Sequence, residues 1–325
     1  MKTNFALDRR DRCGRILPER IFKKHMLKTK LIWQDGKLVD WDEAKIHVLT
    51  HGLHYGSAVF EGIRFYETDR GPAIFRLPEH NRRLFYSAKA LHLKPPFSEN
   101  EILKATIDVV AKSGLQSGYI RPLIFCGEKM GIPTIGAPIH AIIACWGWGK
   151  YLSEKPLKVN VSSFIRIHPK STICDAKISG HYVNSILSSV ESHEKGCDEA
   201  LLLDFEGNIA EGPGENFFMV KDGKLFTPPL GNILAGITRE SVIAIAQREF
   251  GLQIVEQQIS LSQAQSADEL FFTGTAAEIS PIGTLEDVQI ADGKTGPITR
   301  KLLAKFMEIV AGKDEKYLPW LTFAK

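Results

Sequence analysis

The chain has 325 residues, of which 44% are apolar and 24% are charged, a balance typical of globular proteins long enough for two domains. Its formal net charge is +3, but residues 1–30 hold ten Lys or Arg against three Asp or Glu, so this segment carries +7 and the remainder carries −4. We therefore expect a basic, disordered N-terminal extension, with an arm that binds nucleic acid or a protein partner as the alternative, and no nucleic-acid-binding face on the folded part. No run of about 18 apolar residues occurs, so no membrane span is predicted.

The cysteines do not indicate a disulfide framework or a zinc site, because their number is odd, their spacing is wide and no Cys-x-x-Cys occurs. The extension also lacks the apolar stretch and small-residue cleavage site of a secretory signal. We therefore predict a reducing, cytoplasmic setting. The five cysteines are Cys13, Cys126, Cys145, Cys174 and Cys197.

Regular structure is predicted from Leu31 onward. Asp35-Gly36 lies between two apolar stretches, and Asp222-Gly223 does the same further along the chain. Both pairs favour β-hairpins, because a type I′ turn needs positive φ at its two central residues. Four strands are predicted in the first part of the chain, at 63–66, 73–77, 119–125 and 139–148. Two helices are predicted between them, one at 78–91 and one that is capped by Ser98 and ends at Gly114.

A linker is predicted where Gly, Pro and charged residues mix, and we place it at residues 151–157. It separates a smaller N-terminal α+β domain, 31–150, from a larger C-terminal domain, 158–325. The second part is predicted to hold strands at 158–164, 200–204 and 269–272 and helices at 181–195, 238–250 and 297–310. Helices and strands mix without strict βαβ alternation, so the predicted fold class is α+β in two domains. No Gly-x-Gly-x-x-Gly follows a strand, which argues against a dinucleotide-binding site.

Two segments are predicted to be anion-binding helix starts. Gly236-Ile237-Thr238 opens a clear helix with Thr238 as its N-cap, and the free N–H groups there can receive a phosphate. Thr275 and Glu278 have capping-box spacing after an apolar strand, which predicts a second set of exposed backbone donors. Each segment alone is weak support, because capped helix starts occur in every helical protein.

Two further segments set polar groups among glycines. In Glu211-Gly-Pro-Gly-Glu215-Asn216, two carboxylates and an amide surround a turn that enters an apolar strand. A solvated turn is one interpretation, and close backbone approach to a ligand is the other. The segment from His51 to Arg64 is crowded with histidine, aromatic and charged residues. Zinc binding by His51 and His54 is possible on spacing, although no Cys or carboxylate accompanies them in ligand order.

Taken together and in this order, these segments resemble the class IV aminotransferases of fold type IV, and the branched-chain members are the best match. The resemblance covers the chain from about Leu31 to the C terminus. It implies a two-domain architecture like that of D-amino acid aminotransferase, and pyridoxal 5′-phosphate as the cofactor. It rests on seven separated strings: His54-Tyr-Gly-Ser-Ala-Val-Phe-Glu-Gly-Ile-Arg64, Tyr119-Ile-Arg-Pro-Leu-Ile-Phe125, Ala176-Lys177, Glu211-Gly-Pro-Gly-Glu-Asn-Phe-Phe218, Leu225-Phe-Thr227, Leu234-Ala-Gly-Ile-Thr-Arg239 and Gly274-Thr-Ala-Ala-Glu278.

The resemblance also implies which residues hold the cofactor. Lys177 is implied as the Schiff-base lysine, whose amine must be neutral part of the time in order to attack an aldehyde. Glu211 is implied as the partner of the pyridine nitrogen, and Tyr182 as the partner of the phenolic oxygen. The residues implied for the phosphate are Arg83, Ile237, Thr238 and Thr275.

The implied substrate pocket must accept both a branched apolar side chain and the γ-carboxylate of glutamate. Aromatic walls serve the first, and Arg121 with tyrosine hydroxyls serves the second, while backbone N–H groups around Thr275 and Ala276 would hold the α-carboxylate. Two positions depart from the family pattern, His181 where Asn is usual and Pro213 where a small residue is usual, and they bear on substrate range. The predicted pocket residues are Tyr55, Phe60, Arg64, Tyr119, Arg121, Trp148, Tyr151, Thr275 and Ala276.

The implied reaction is a ping-pong transamination between leucine, isoleucine or valine and 2-oxoglutarate, which gives branched-chain 2-oxo acids and L-glutamate. D-amino acid aminotransferase and aminodeoxychorismate lyase are the alternatives within the same fold, and a non-catalytic binding module is the alternative outside it. Tyr119-x-Arg121-Pro and Phe60-Glu-Gly-Ile-Arg64 favour the branched-chain type. The resemblance further implies a homodimer or a trimer of dimers, with no nucleic-acid or membrane partner.

Overall fold

The structure is a computed structural model that describes residues 27–149 and 155–324. The predictions for most of the basic extension, for Cys13 and for Tyr151 lie outside the described residues, as does most of the predicted linker. Within the described ranges, no helix combines the length and the apolar character needed to cross a bilayer.

The first part of the described chain, up to Gly149, forms eight strands and three helices. Helix α3 (Glu99–Ser113) begins with the predicted capping box, in which Ser98 and Glu101 each bond the other's backbone, and it is capped at its end by Gly114 with φ of 73°. The elements are β1 (Leu27–Lys28), β2 (Leu31–Gln34), β3 (Lys37–Asp40), α1 (His51–Tyr55), β4 (Ala58–Phe60), β5 (Ile63–Tyr66), β6 (Ala73–Phe75), α2 (Leu77–Ala90), α3 (Glu99–Ser113), β7 (Gly118–Cys126) and β8 (Ile139–Gly147).

The second part contributes ten strands and four helices, and its last strand returns to the first part. The elements are β9 (Leu157–Val161), α4 (Tyr182–Glu194), β10 (Glu199–Leu203), β11 (Ile209–Glu211), β12 (Asn216–Lys221), β13 (Lys224–Thr227), α5 (Ile237–Phe250), β14 (Ile254–Glu256), α6 (Leu261–Gln265), β15 (Glu269–Gly274), β16 (Glu278–Leu285), β17 (Val288–Gln289), α7 (Pro297–Val310) and β18 (Leu321–Phe323).

These strands form one antiparallel sheet and one mixed sheet, which bears out the α+β class. One sheet runs β18-β6-β5-β7-β8-β2-β3, with β1 beside β8 and β4 beside β7. The other runs β11-β10-β9-β16-β15-β12-β13-β14, with β17 beside β16. The two-domain division stays a proposal, and on the described residues each domain would be built on one sheet, with β18 crossing from the second part to pair with β6 of the first.

Both predicted hairpins are present with the turn chemistry that their sequences require. Strands β2 and β3 are joined through Asp35 and Gly36, whose φ values are 47° and 89°, and β12 and β13 through Asp222 and Gly223, at 48° and 70°. Positive φ at both central residues is the type I′ requirement from which the hairpins were predicted.

Two local predictions were wrong. Thr275 and Glu278 do not open a helix: residues 275–277 form a turn between antiparallel β15 and β16, where Gly274 pairs with Glu278. The run after Glu278 contains Pro281, which would interrupt a helix interior, and its backbone instead pairs with β15 on one side and β9 on the other. At α5 the N-cap is Gly236 rather than Thr238, because the helix already begins at Ile237.

Candidate active site

Lys177 lies in the segment that connects β9 to α4, and contacts from two other elements fix its backbone. Its N–H donates to the hydroxyl of Ser87 on α2 (2.9 Å), and its carbonyl accepts from the N–H of Phe60 at the end of β4 (3.1 Å). The side chain is half-buried, and Nζ donates to the Tyr182 hydroxyl at 2.6 Å. The amine therefore has a defined position within a cavity rather than the free motion of a surface lysine.

Glu211 lies on the same cleft as Lys177, and three groups hold its buried carboxylate. Arg166 Nε donates to Oε1 at 2.5 Å, Asn216 Nδ2 donates to Oε2 at 3.0 Å, and the N–H of Leu234 lies 3.2 Å from Oε2. Burial raises the pKa of Glu211, while the charge and hydrogen bond of Arg166 act in the opposite direction. The result is an oriented carboxylate that faces the cleft lined by Lys177 and Tyr182.

The third predicted contact group forms a separate corner at the start of α5. Arg83 Nη1 donates to the carbonyl of Ala235 at 2.7 Å, which places its guanidinium beside the helix N-terminus. Gly236 caps the helix without any side-chain hydrogen bond, so no side chain occupies the first-turn N–H groups of Ile237 and Thr238. A side chain at Gly236 would not fit, because its Cβ would lie 1.9 Å from Asn216 Oδ1. An arginine and free helix N–H groups make this corner suited to an anion.

A cavity of about 460 Å³ adjoins the amine of Lys177 and brings together most of the predicted substrate residues. The guanidinium of Arg121 stacks over the Phe60 ring at 4.6 Å, and its Nε has no hydrogen-bond partner among the described residues. The predicted residues that line this cavity are Phe60, Tyr119, Arg121, Trp148, Lys177, Tyr182, Thr275 and Ala276. Lining residues that were not predicted for it are Gly62, Leu123, Ser179, Ile186, Gly214 and Glu215.

Two of the predicted pocket residues that the structure describes do not line this cavity. Arg64 is engaged elsewhere: it pairs with Glu278 at 2.6 Å and donates to the carbonyl of Gly149 at 2.8 Å. It therefore holds the backbone next to Trp148 instead of facing the cavity itself. Tyr55 is 42% exposed at the end of α1 and does not line the cavity of its own chain, while Tyr151 lies outside the described residues.

The two histidines that allowed a zinc interpretation have other partners. His51 bonds the Ser57 hydroxyl (2.6 Å) and the carbonyl of Gly131 (2.8 Å), so both of its ring nitrogens are used. His54 Nε2 bonds the carbonyl of Val48 at 2.8 Å. No cluster of three or more potential metal ligands occurs in the described ranges.

Arg166 and Asn216, which hold the carboxylate of Glu211, were not predicted as site residues. Arg166 carries no local signal, because an arginine in a polar loop looks like a surface charge, and Asn216 was visible only as part of a string.

The structure also shows the environment of one position that departs from the family pattern. His181 bonds the Thr172 hydroxyl at 2.6 Å and lines the Glu211 cleft. Burial and the charge of Arg166 lower its pKa to about 4, so its imidazole is neutral at physiological pH.

A second buried carboxyl lies beside this cleft. Glu215 lines both the cleft and the larger cavity, and Oε2 accepts from the N–H of Gly214 at 3.0 Å. Burial and the neighbouring Glu199 raise its pKa to about 8. Glu211 and Glu215 are only four positions apart in the sequence, yet their environments differ, because only Glu211 has an arginine against it.

Residues 58–285 match the family model for amino-transferase class IV. The chain is 46% identical over 300 residues to the branched-chain-amino-acid aminotransferase of Pseudomonas aeruginosa, and this alignment covers 91% of this chain and 97% of that protein. It is 42% identical over 301 residues to the enzyme of the same name from Escherichia coli K12, with 90% and 97% covered. Among solved structures, the T.th. branched-chain amino acid aminotransferase complexed with N-(5′-phosphopyridoxyl)-L-glutamate superposes with a TM-score of 0.89 at 44% identity, over 92% of this chain and 100% of that one.

Proposed function

The chain belongs to the class IV aminotransferases and, within them, to the branched-chain amino acid aminotransferases, and we propose that it transfers amino groups between leucine, isoleucine or valine and 2-oxoglutarate with pyridoxal 5′-phosphate as cofactor. The observation that carries this proposal is the shared cleft of Lys177 and Glu211, with the anion corner of Arg83 beside it. Solved relatives with this fold hold pyridoxamine 5′-phosphate or a phosphopyridoxyl-glutamate adduct.

The donor set fits this cofactor. Arg83 and the N–H groups of Ile237 and Thr238 would hold the phosphate, and Thr275, in the turn after β15, would complete that site. Glu211 would face the ring nitrogen, and the Tyr182 hydroxyl would face the phenolic oxygen. Pyridoxal 5′-phosphate, when bound, supplies an aldehyde for the amino group and a ring that withdraws electrons from the substrate.

Lys177 is the residue positioned to move protons. Its Nζ lies on the cavity that would hold the amino acid, and it would take the proton from the substrate Cα as a general base and deliver it, as a general acid, to C4′ of the cofactor. The 2.6 Å contact with the Tyr182 hydroxyl gives the amine a fixed direction of approach. On the far side of the cleft, burial raises the pKa of Glu211, and the charge and hydrogen bond of Arg166 oppose that effect and hold the carboxyl group in place.

The cavity suits two different side chains in turn. Phe60, Tyr119 and Trp148 give it apolar walls, and the Tyr119 and Trp148 rings meet edge to face at 4.5 Å between centroids. Arg121 adds one positive charge with an unpaired Nε, which can receive the γ-carboxylate of glutamate or 2-oxoglutarate. A branched aliphatic side chain would pack against the rings, and the backbone N–H groups of Thr275 and Ala276 would take the α-carboxylate.

The direct test is the absorbance spectrum of the purified protein, followed by an assay with competing amino acids. We expect a cofactor band that L-leucine shifts and D-alanine leaves unchanged, together with formation of L-glutamate from 2-oxoglutarate only in the presence of the branched-chain L-amino acid. Preference for D-alanine would identify the D-amino acid aminotransferase alternative. A protein that binds no chromophore at all would support the non-catalytic alternative.

We also propose that the chain is a homodimer, because α4 has an exposed apolar face. Val183, Ile186, Leu187 and Val190 are 59%, 60%, 45% and 52% exposed and follow helical spacing on one side. A trimer of such dimers is the larger assembly that the family resemblance allows. Tyr55, which is outside its own chain's cavity, would contribute to a substrate site only by reaching the cavity of a second copy.

Replacing Val183 and Val190 together by aspartate is expected to convert the dimer into monomers, because two charges would enter a face that the second copy buries. Analytical ultracentrifugation at several protein concentrations measures this change. Val288→Asp is the matched control, since Val288 is an exposed valine on β17, away from α4. A double variant that still sediments as a dimer would place the interface elsewhere.

The proposed cytoplasmic location agrees with the free state of Cys126, Cys145, Cys174 and Cys197.

A further inference from the structure

Glu61 is a fully buried carboxylate that plays no part in the chemistry described above. It follows Phe60 at the end of β4, and its relative exposure is 0%. Phe60 and Gly62 line the substrate cavity, whereas the side chain of Glu61 is directed to α2, as expected where successive side chains alternate. A buried charge of this kind needs partners, and Glu61 has two on the same helix.

Arg83 is the first partner and binds the carboxylate through two parallel hydrogen bonds. Nε lies 2.7 Å from Oε1 and Nη2 lies 2.8 Å from Oε2, which is the bidentate geometry that fixes a guanidinium in one orientation. Burial acts to raise the pKa of Glu61, but the charge of Arg83 and the hydrogen bonds from Arg83 and His80 lower it well below its usual range. Since the pKa of Arg83 is raised by the same pairing, both groups are ionised at neutral pH.

His80 is the second partner and lies three residues before Arg83 on α2. Its Nδ1 lies 2.7 Å from Glu61 Oε2, the same oxygen that receives Nη2 of Arg83. Burial lowers the pKa of His80, against the opposing influence of Glu61, so the imidazole is neutral and donates through Nδ1–H. Glu61 is thus held by both residues and cannot rotate away without breaking all three hydrogen bonds.

The donors left on Arg83 show what this arrangement achieves. A guanidinium has five N–H donors. Two bind Glu61 and one binds the carbonyl of Ala235, the residue before the Gly236 cap of α5, so two remain. Three fixed hydrogen bonds determine the plane of the guanidinium beside the start of α5 before any ligand arrives. An arginine on a flexible stem would otherwise lose side-chain entropy on binding a phosphate.

We infer that Glu61 is the positioning residue for the phosphate site, and that it acts by fixing Arg83 for the phosphate group of the cofactor. The inference rests on the proposed function, because that function supplies the phosphate. It makes a specific demand: loss of Glu61 must weaken the binding of pyridoxal 5′-phosphate while leaving the binding of pyridoxal, which lacks the phosphate, nearly unchanged.

The test compares the two ligands on apoenzyme by fluorescence or absorbance titration. For Glu61→Gln we expect the Kd of pyridoxal 5′-phosphate to rise about 10- to 100-fold and the Kd of pyridoxal to change less than about twofold. The first figure is the loss of affinity that metal sites show when a residue that orients a ligating side chain is removed. In the Arg83→Ala background, adding Glu61→Gln should have no further effect on phosphate-specific binding, because Glu61 acts through Arg83.

Two further variants keep the result interpretable. His80→Leu removes one support from Glu61 and leaves the ion pair in place, so it should give a smaller loss in the same direction even if Glu61→Gln does not fold. Glu269→Gln is the matched control: Glu269 is a buried carboxylate that accepts from Ile298 N, Thr299 N and Thr299 Oγ1 at the start of α7. It should lower the thermal midpoint without changing the ratio of the two Kd values.

The outcomes separate this inference from the proposed function. If the unchanged protein binds neither ligand, the proposed function fails. If it binds pyridoxal 5′-phosphate and Glu61→Gln binds it as tightly, or loses both ligands equally, only the role of Glu61 is overturned. Tighter phosphate binding in Glu61→Gln would also overturn it, because it would mean that the carboxylate merely opposes the charge of Arg83.

Discussion

Replacing Lys177 by alanine is expected to abolish transamination, with a fall in kcat of about 10⁴-fold or more, since the variant loses both the covalent attachment and the proton-transferring group. Among the described residues that line the cleft and the larger cavity, Lys177 is the only amine. Water or added amines lack the geometry that the Tyr182 hydroxyl gives to Nζ at 2.6 Å.

The measurement combines steady-state assay with borohydride reduction and peptide mass spectrometry. In the unchanged protein, reduction should leave a phosphopyridoxyl group on the peptide that contains Lys177, and in Lys177→Ala no peptide should carry it. Lys170→Ala is the matched control, because Lys170 is an exposed lysine of the same connecting segment. Substantial activity in Lys177→Ala, or a label on another lysine, would refute the assignment.

The parts of the fold that could be predicted from sequence are those that nearby residues determine. Asp35-Gly36 and Asp222-Gly223 specify their turns through backbone φ alone, and both turns are present. The Ser98 and Glu101 capping box is also local, and α3 starts where it predicts. In each case the interacting groups are at most four residues apart, so their geometry follows from the chain itself.

The wrong prediction of a helix start at Thr275 arose because a distant residue decides the outcome. Glu278 has capping-box spacing after Thr275, but its carboxylate pairs with Arg64, 214 residues earlier, and its backbone joins a strand. Arg64 was assigned to the substrate pocket from its position in the string, yet this ion pair turns it away from the cavity. The sequence around Glu278 cannot show whether its carboxylate will cap a helix nearby or form an ion pair with a residue on a strand of the other sheet.

The candidate site shows the same division. Lys177, Glu211 and Arg83 could be proposed only because several strings occur in one order, since an isolated lysine or arginine carries no signal of its own. Arg166 has no string around it and meets Glu211 only because the segment before Lys177 folds back along β10, where the N–H of Arg166 bonds the carbonyl of Leu203. Its role depends on tertiary contact and needed the structure.

Glu211→Gln is expected to lower kcat about 10²- to 10³-fold at saturating cofactor, the size of effect seen when one charge-stabilising group is removed from an active site. The amide keeps the volume and its one oxygen can still accept from Arg166, but its NH2 group then faces the donors of Asn216 and Leu234, so we expect a lower thermal midpoint without loss of the fold. What it lacks is the negative charge that would favour a protonated ring nitrogen and thereby the withdrawal of electrons from the substrate. The measurement is kcat with L-leucine, together with the pH dependence of the absorbance of the bound cofactor.

Glu215→Gln provides the comparison, because the two carboxyl groups are neighbours and only Glu211 has an arginine against it. The pKa of Glu215 is raised to about 8, so at pH 7 its side chain is mostly the neutral acid. Replacing it by a neutral amide should therefore cost far less activity than the same replacement at Glu211.

The proton on Glu215 also affects the stability of the folded protein. Between about pH 4.5, its ordinary pKa, and about pH 8, the folded state keeps a proton that the unfolded chain releases, so the free energy of unfolding falls as pH rises. Glu215→Gln should reduce that decline in chemical-denaturation curves, whereas equal activity losses at both positions would mean that charge is not what distinguishes Glu211.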